Sequence, residues 1–223
     1  MGGASLAERL PELAELIGAD AAAARFAVWG ESTVVDEHTA EPVIGLSLFD
    51  ELHRLAGLAA IWPVGNAGLI HVYGYLLSTA STPYGPKRDR WTGGGVARAL
   101  GLPDGIFAPG HPGASTPLER ITGAATPILN APGSYEGTLL WIEERSSAVV
   151  ATTVVVRNGV SHALLYSVNG LLVTAFPVAS PTTDWVDGLL AAPVRLRYNA
   201  VVGAPQLPLI ERRVRLRRGL DAD

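Results

Sequence analysis

The sequence contains no cysteine. That absence removes disulfides, thiolate nucleophiles, cysteine-ligated zinc and iron–sulfur clusters from consideration. Lysine is almost missing too: Lys87 is the single one among 17 basic residues. Together with 32 alanines and 25 glycines, the preference for arginine follows GC-rich codons and points to a GC-rich genome. Such a genome is a setting consistent with specialised-metabolite biosynthesis. No apolar run reaches the ~20 residues of a bilayer span. The longest mostly apolar stretch, Gly68 to Ala80, is broken by His71, Tyr73 and Tyr75. The first residues pass directly into an amphipathic pattern, without the basic start and apolar run of an export signal, so a cytoplasmic protein is expected.

Charge is also scarce, at 17% of residues against 48% apolar, so 223 residues can bury enough surface to offset the entropy of ordering. A net charge of −4 argues against general affinity for nucleic acid, which needs a basic field. The balance shifts along the chain. Acids are denser early, whereas Glu211 to Arg218 carries five arginines.

The N-terminal part reads as helical. Leu6, Leu10, Leu13 and Ile17 recur at spacings of three and four, with Ser5 and Glu8 placed for a capping box and Pro11 placed to kink the helix. A second helix is expected from Asp20 to about Val28, an acidic loop from Gly30 to Gly45, and a third helix from Ser47, as its cap, to Leu55. Leu58 to Val64 and Leu69 to Ser78 have strand composition around the turn-like Gly65-Asn66-Ala67-Gly68. Pro103 to Pro117 reads as irregular surface or a lid, and Leu118 to Leu129 as a helix.

The last ninety residues give an antiparallel meander. Strands are expected near 136–145, 148–157, 160–168 and 171–178, with a fifth at 194–202 beyond a short helix at 182–190. Asn158-Gly159 and Asn169-Gly170 are hairpin signals, because a type I′ turn needs positive φ at both central positions. Two-residue turns there set Thr153 opposite Leu164, Tyr166 opposite Val173 and Leu164 opposite Ala175. Both faces are then largely apolar, so one should pack on the helices and the other on a second layer or another subunit. The expected fold is a single α+β domain, residues 1–223, with a helical N-terminal part packed on a meander of about five strands, extended by the two earlier ones.

The most suggestive chemistry lies in Thr82 to Gly95. Lys87, Arg88 and Arg90 stand beside Gly93, Gly94 and Gly95, which open a helical-looking segment. Unpaired amides at a helix start and glycines that allow close approach suit a phosphate, sulfate or carboxylate. The spacing matches neither a Walker A loop nor a dinucleotide fingerprint. The bland reading is a solvated loop whose charges pair with Asp89 or nearby acids. If Leu69 to Ser78 is a strand, alternation puts His71, Tyr73 and Tyr75 on one face, a proton acceptor with two phenols. Tyr84 could orient or donate from the following loop, and ordinary strand aromatics are the alternative.

Glu31 to Glu41 holds four carboxylates and His38, but Asp36, Glu37 and His38 are adjacent and match no metal pattern, so no metal or other cofactor is expected. Arg195 and Arg197 alternate on the last expected strand, as a second anion surface or a charged edge. These residues point to a lyase, cyclase or transferase using acid–base chemistry on an anionic small molecule, free or tethered to a carrier. His71 would be the base, with Tyr73, Tyr75 or Tyr84 assisting, and Lys87, Arg88, Arg90, the glycines, Arg195 and Arg197 would bind substrate. The alternative is a non-catalytic binding or scaffolding subunit that oligomerises through its apolar sheet, as a homo-oligomer or with a different protein. Neither reading involves nucleic acid or membrane.

Overall fold

The computed structural model describes residues 5–36, 39–82, 85–89, 97–98, 100–108, 111–113, 115–130, 138–145, 148–157 and 161–178, with side chains except at 82, 138–163 and 176–178. The expected elements at 182–190 and 194–202 lie outside the described residues.

Ser5 and Glu8 form the expected capping box: the Glu8 amide donates to the Ser5 hydroxyl, and the Ser5 amide donates to the Glu8 carboxylate at 2.7 Å. The helix they start, α1 (Leu6–Arg9), is short. Proline lacks the N–H that a helix interior needs but is suited to a first helical position, so Pro11 ends α1 and opens α2 (Pro11–Ala22). The expected kink is a complete break. Leu13, Ile17 and Asp20 form the buried stripe of α2. Ala24, at φ 54°, then stops the chain from continuing to Val28 as one helix, and Arg25–Val28 forms a single 3-10 turn.

Within the expected acidic loop, β1 (Glu31–Thr33) pairs antiparallel with β2 (Val64–Asn66). The third helix, α3 (Leu46–Leu55), is capped two residues early, by Gly45 rather than Ser47, and buries Phe49, Leu52 and His53. The segment after β2 corrects the sequence reading. Leu69–Gly74 is a π-type helix continued by a 3-10 turn, Tyr75–Leu77; together they form the central helix, not a strand. Asn66 explains the start, since its Oδ1 accepts the Leu69 amide at 3.2 Å as an N-capping side chain does. Leu69 to Tyr75 are all buried, so neither helical nor strand period can show in the pattern of apolar residues. The apparent alternation of His71, Tyr73 and Tyr75 was a coincidence of residue type.

Two short strands follow, β3 (Ser81–Thr82) and β4 (Gly85–Pro86), paired as a hairpin. Helix α4 (Pro117–Asn130) extends one residue beyond the expected range at each end, with the Thr116 hydroxyl accepting the Glu119 amide at 3.0 Å. The Pro/Gly segment before it is turn-rich and tied down by Arg120. That guanidinium donates to the carbonyls of Ile106, His111 and Ser115 and to the Ser115 hydroxyl.

The meander is present as β5 (Thr138–Arg145), β6 (Ala148–Arg157), β7 (Ser161–Val168) and β8 (Leu171–Val178), antiparallel in that order. The mixed α+β class therefore holds. Register differs in two places. Arg157 pairs with Ser161, so three residues rather than two join β6 to β7, and Thr153 faces Leu165 instead of Leu164. At Asn169-Gly170 both residues take positive φ and the two-residue turn is as expected. A bulge between Tyr166 and Ser167 then shifts the pairing by one, setting Tyr166 opposite Thr174 and Leu164 opposite Phe176.

Leu164 to Ser167 and Leu172 to Ala175 are buried without alternation, so both faces of β7 and β8 are covered there within one chain. One core cluster includes Leu6, Ile17, Phe49, Leu69, Leu118, Leu164 and Val173, from helices and sheet alike. Gly30 links the two regions: its amide donates to the Leu172 carbonyl at 2.9 Å, and its carbonyl accepts the Ala67 amide at 2.8 Å. Among the described residues, no helix is long and apolar enough to cross a membrane.

His53 latches α3 to β2. Its Nδ1 lies 2.8 Å from the Phe49 carbonyl, which can only accept, so Nδ1 carries the proton; its Nε2 accepts the Asn66 amide at 3.1 Å. Burial outweighs the favourable Phe49 carbonyl and Asp50 charge and holds the imidazole below its ordinary value of 6.5. The folded protein therefore takes up this proton less readily than the unfolded chain. The latch's contribution is complete above about pH 6.5 and is lost as pH falls from there toward the depressed folded value. Urea midpoints are expected to fall between about pH 7 and pH 5 in wild type, with a shallower fall in His53→Gln; parallel profiles would refute the assignment.

Candidate functional site

The central helix carries two polar clusters on different sides. His71 and Tyr75 are four residues apart and their rings pack at a 40° tilt, with centroids 4.7 Å apart. The hairpin of β3 and β4 delivers Lys87 to the same place, its ammonium 5.0 Å from the centroid of the Tyr75 ring, within cation–π range. Lys87 is only 2% exposed. Its charge is met by the fully buried carboxylate of Asp36, with Nζ 2.5 Å from Oδ2.

Asp36 is itself held. Its Oδ1 accepts the Thr39 amide at 3.0 Å, and its backbone closes a turn through bonds with Ala40 and Glu41. A carboxylate fixed through one oxygen presents the other to Lys87. His71 places Nδ1 3.0 Å from the Ala67 carbonyl, so in the neutral ring Nδ1 is the donor and Nε2 bears the lone pair. The cluster thus combines an oriented imidazole, a phenol, an ammonium and a carboxylate in a desolvated setting. Such a setting strengthens electrostatic interactions with any group that reaches it.

Tyr73, two residues from both His71 and Tyr75, leaves this cluster for another. Its hydroxyl donates to Asp20 Oδ2, while Thr116 donates to Oδ1 and Arg25 reaches the same Oδ1 at 3.1 Å. Arg25 continues to Glu119 at 2.9 Å. Burial and the Asp20 carboxylate push the Tyr73 phenol far above its ordinary value, which keeps it protonated. A hydroxyl so engaged is a tie between α2, the central helix and the cap of α4.

Of the residues singled out in the sequence, the structure brings His71, Tyr75 and Lys87 together. It sends Tyr73 elsewhere and leaves Arg88 in solvent, paired with Asp89 at 3.2 Å. Tyr84, Arg90, Gly93, Gly94, Gly95, Arg195 and Arg197 lie outside the described residues. Sequence reasoning missed Asp36 as the partner of Lys87, and Asp20 and Arg120 altogether. Asp20 had a visible signal, because it falls on the Leu13, Ile17 spacing of the buried stripe. No protein family, curated protein or solved structure matches this chain.

Proposed function

We propose that the chain is a cytoplasmic enzyme of small-molecule metabolism that uses acid–base chemistry on an anionic substrate, in a lyase, cyclase or transferase step. The observation that carries this reading is the convergence of His71, Tyr75, Lys87 and Asp36, drawn from three separate segments, in one buried cluster. Nε2 of His71 takes the proton. The ammonium of Lys87, positioned by Asp36, stabilises the negative charge that develops, and Tyr75, in contact with both, supplies a wall through its ring and a donor through its hydroxyl. Arg88, exposed beside the cluster, adds long-range attraction for an anion. Tyr84, Arg90 and the three glycines complete the anion site in this proposal, with Arg195 and Arg197 as a second anion surface. The π-type turn that carries His71 supports the reading, since such turns recur at functional sites.

A second reading, a non-catalytic binding or scaffolding subunit, draws on the Lys87–Asp36 pair, because a cation already neutralised by a carboxylate serves equally as a structural tie. Among the described side chains, those of β7 and β8 are buried on both faces, so assembly through these two strands is disfavoured. The two readings separate on incubation with the small-molecule extract of a bacterium with a GC-rich genome, followed by mass spectrometry. Under the enzyme reading, at least one anionic species changes with wild type, and His71→Gln, checked for native circular dichroism, slows that change by about 100-fold or more, the usual contribution of a general base. A change that His71→Gln leaves intact, or no change at all, contradicts the enzyme reading.

A further inference from the structure

A second concave site lies away from the His71–Lys87 cluster. A cleft of about 620 Å³ is bounded by Ala21 and Ala24 at the end of α2, Ala56 and Leu58 at the end of α3, Glu31 at the start of β1, and Leu171 at the β7–β8 turn. Its volume is that of a small-molecule site, and its walls are mostly methyl groups.

Its electrostatics have one sign. The C-terminal ends of two helices border the cleft, each carrying the partial negative charge of its dipole. No basic residue stands in the last turn of α2 to offset that charge. In the last turn of α3, burial holds the His53 imidazole below its ordinary value against the pull of the Phe49 carbonyl, and Arg54 lies 4.0 Å from Glu51. Glu31 adds a full negative charge, and no cation among the described residues pairs with its side chain. Asn66, also on the wall, has its amide committed to the Phe26 carbonyl and the Leu69 amide. An anion would therefore meet repulsion here, and a neutral apolar molecule would gain nothing from the charge.

We infer that this cleft binds an organic cation with an apolar body, an amine with a bicyclic aromatic or similarly compact frame. Apolar surface faces the alanine and leucine walls, and the ammonium faces Glu31 and the two helix ends. The site is independent of the proposed catalytic cluster, with which it shares no residue.

The test compares three probes with one ring system: 2-naphthylethylamine, 2-naphthylethanol and 2-naphthylacetate, titrated into the full chain and followed by amide resonances. The amine is expected to shift amides in Ala21–Gly30 and Val168–Leu171 and to bind about five- to tenfold tighter than the alcohol, with the carboxylate weakest. Glu31→Gln should bring the amine close to the alcohol. Ala59→Trp, at an exposed wall position, should abolish binding of all three without lowering the melting temperature. A preference for amine over alcohol below about threefold, shifts confined to other segments, no shifts at millimolar probe, or an unaltered preference in Glu31→Gln overturns the inference.

Discussion

Asp20→Ala is expected to destabilise the protein by about 3–5 kcal/mol, the usual consequence of removing one member of a buried charged network. Asp20 is fully buried and accepts from Tyr73, Thr116 and Arg25. Its loss removes the acceptor of the buried Tyr73 and Thr116 hydroxyls and deprives Arg25 of one of its two carboxylates. Tyr73→Phe removes one donor and leaves the carboxylate two partners, so about 1–2 kcal/mol is expected. Urea unfolding of the two variants distinguishes this network from an incidental contact. A loss below about 1 kcal/mol for Asp20→Ala would show that the chain relaxes around the gap and that these bonds do not hold α2, the central helix and α4 together.

The second large effect is at Lys87 and Asp36. Either one replaced alone leaves the other a buried charge without its ion-pair counterpart, with an expected cost of about 3–5 kcal/mol. Replacing both with apolar side chains of similar size, Asp36→Leu with Lys87→Met, removes the desolvation penalty along with the attraction, and the pair variant should unfold within about 1–2 kcal/mol of wild type. A double-mutant cycle by denaturant melts reads this directly. Additive losses would mean that the two groups are not coupled, against their 2.5 Å separation. If the coupling holds, the pair variant is a folded protein without the central charges, which is what a functional test requires.

How much of this was legible in the residues depends on where each signal lies. The capping box at Ser5 and Glu8 and the Asn169-Gly170 turn are local, set by a few side chains and two φ angles, and both are found as read. The strand meander was legible because apolar runs broken by turn residues need no partner to be recognised. The registers slipped because the Tyr166/Ser167 bulge and the length of the β6–β7 connection depend on how strands pack, not on the turn residues alone. The central helix was misread because Leu69 to Tyr75 are buried all round, which erases periodicity, and the one decisive local signal, Asn66 as an N-cap, also reads as a turn.

The candidate site shows the same division. His71, Tyr75 and Lys87 drew attention as residue types with chemistry to offer, yet the strand argument that grouped them was wrong; a helical i, i+4 relation brings His71 and Tyr75 together. Asp36 could not be paired with Lys87 from sequence, because the two are 51 residues apart and the contact rests on the hairpin that carries the lysine inward. Arg120 likewise organises the Pro/Gly segment through carbonyls, which no side-chain pattern announces.

The proposed chemistry requires that an anion reach the buried Lys87 cluster and that the cluster answer to it. Titration of inorganic phosphate into wild type and into Asp36→Leu/Lys87→Met, followed by the ring resonances of His71, tests this most directly. A saturable shift of the His71 ring in wild type that is absent from the equally folded pair variant is the expected result. A His71 ring that ignores phosphate in wild type, or responds identically in both proteins, would contradict it.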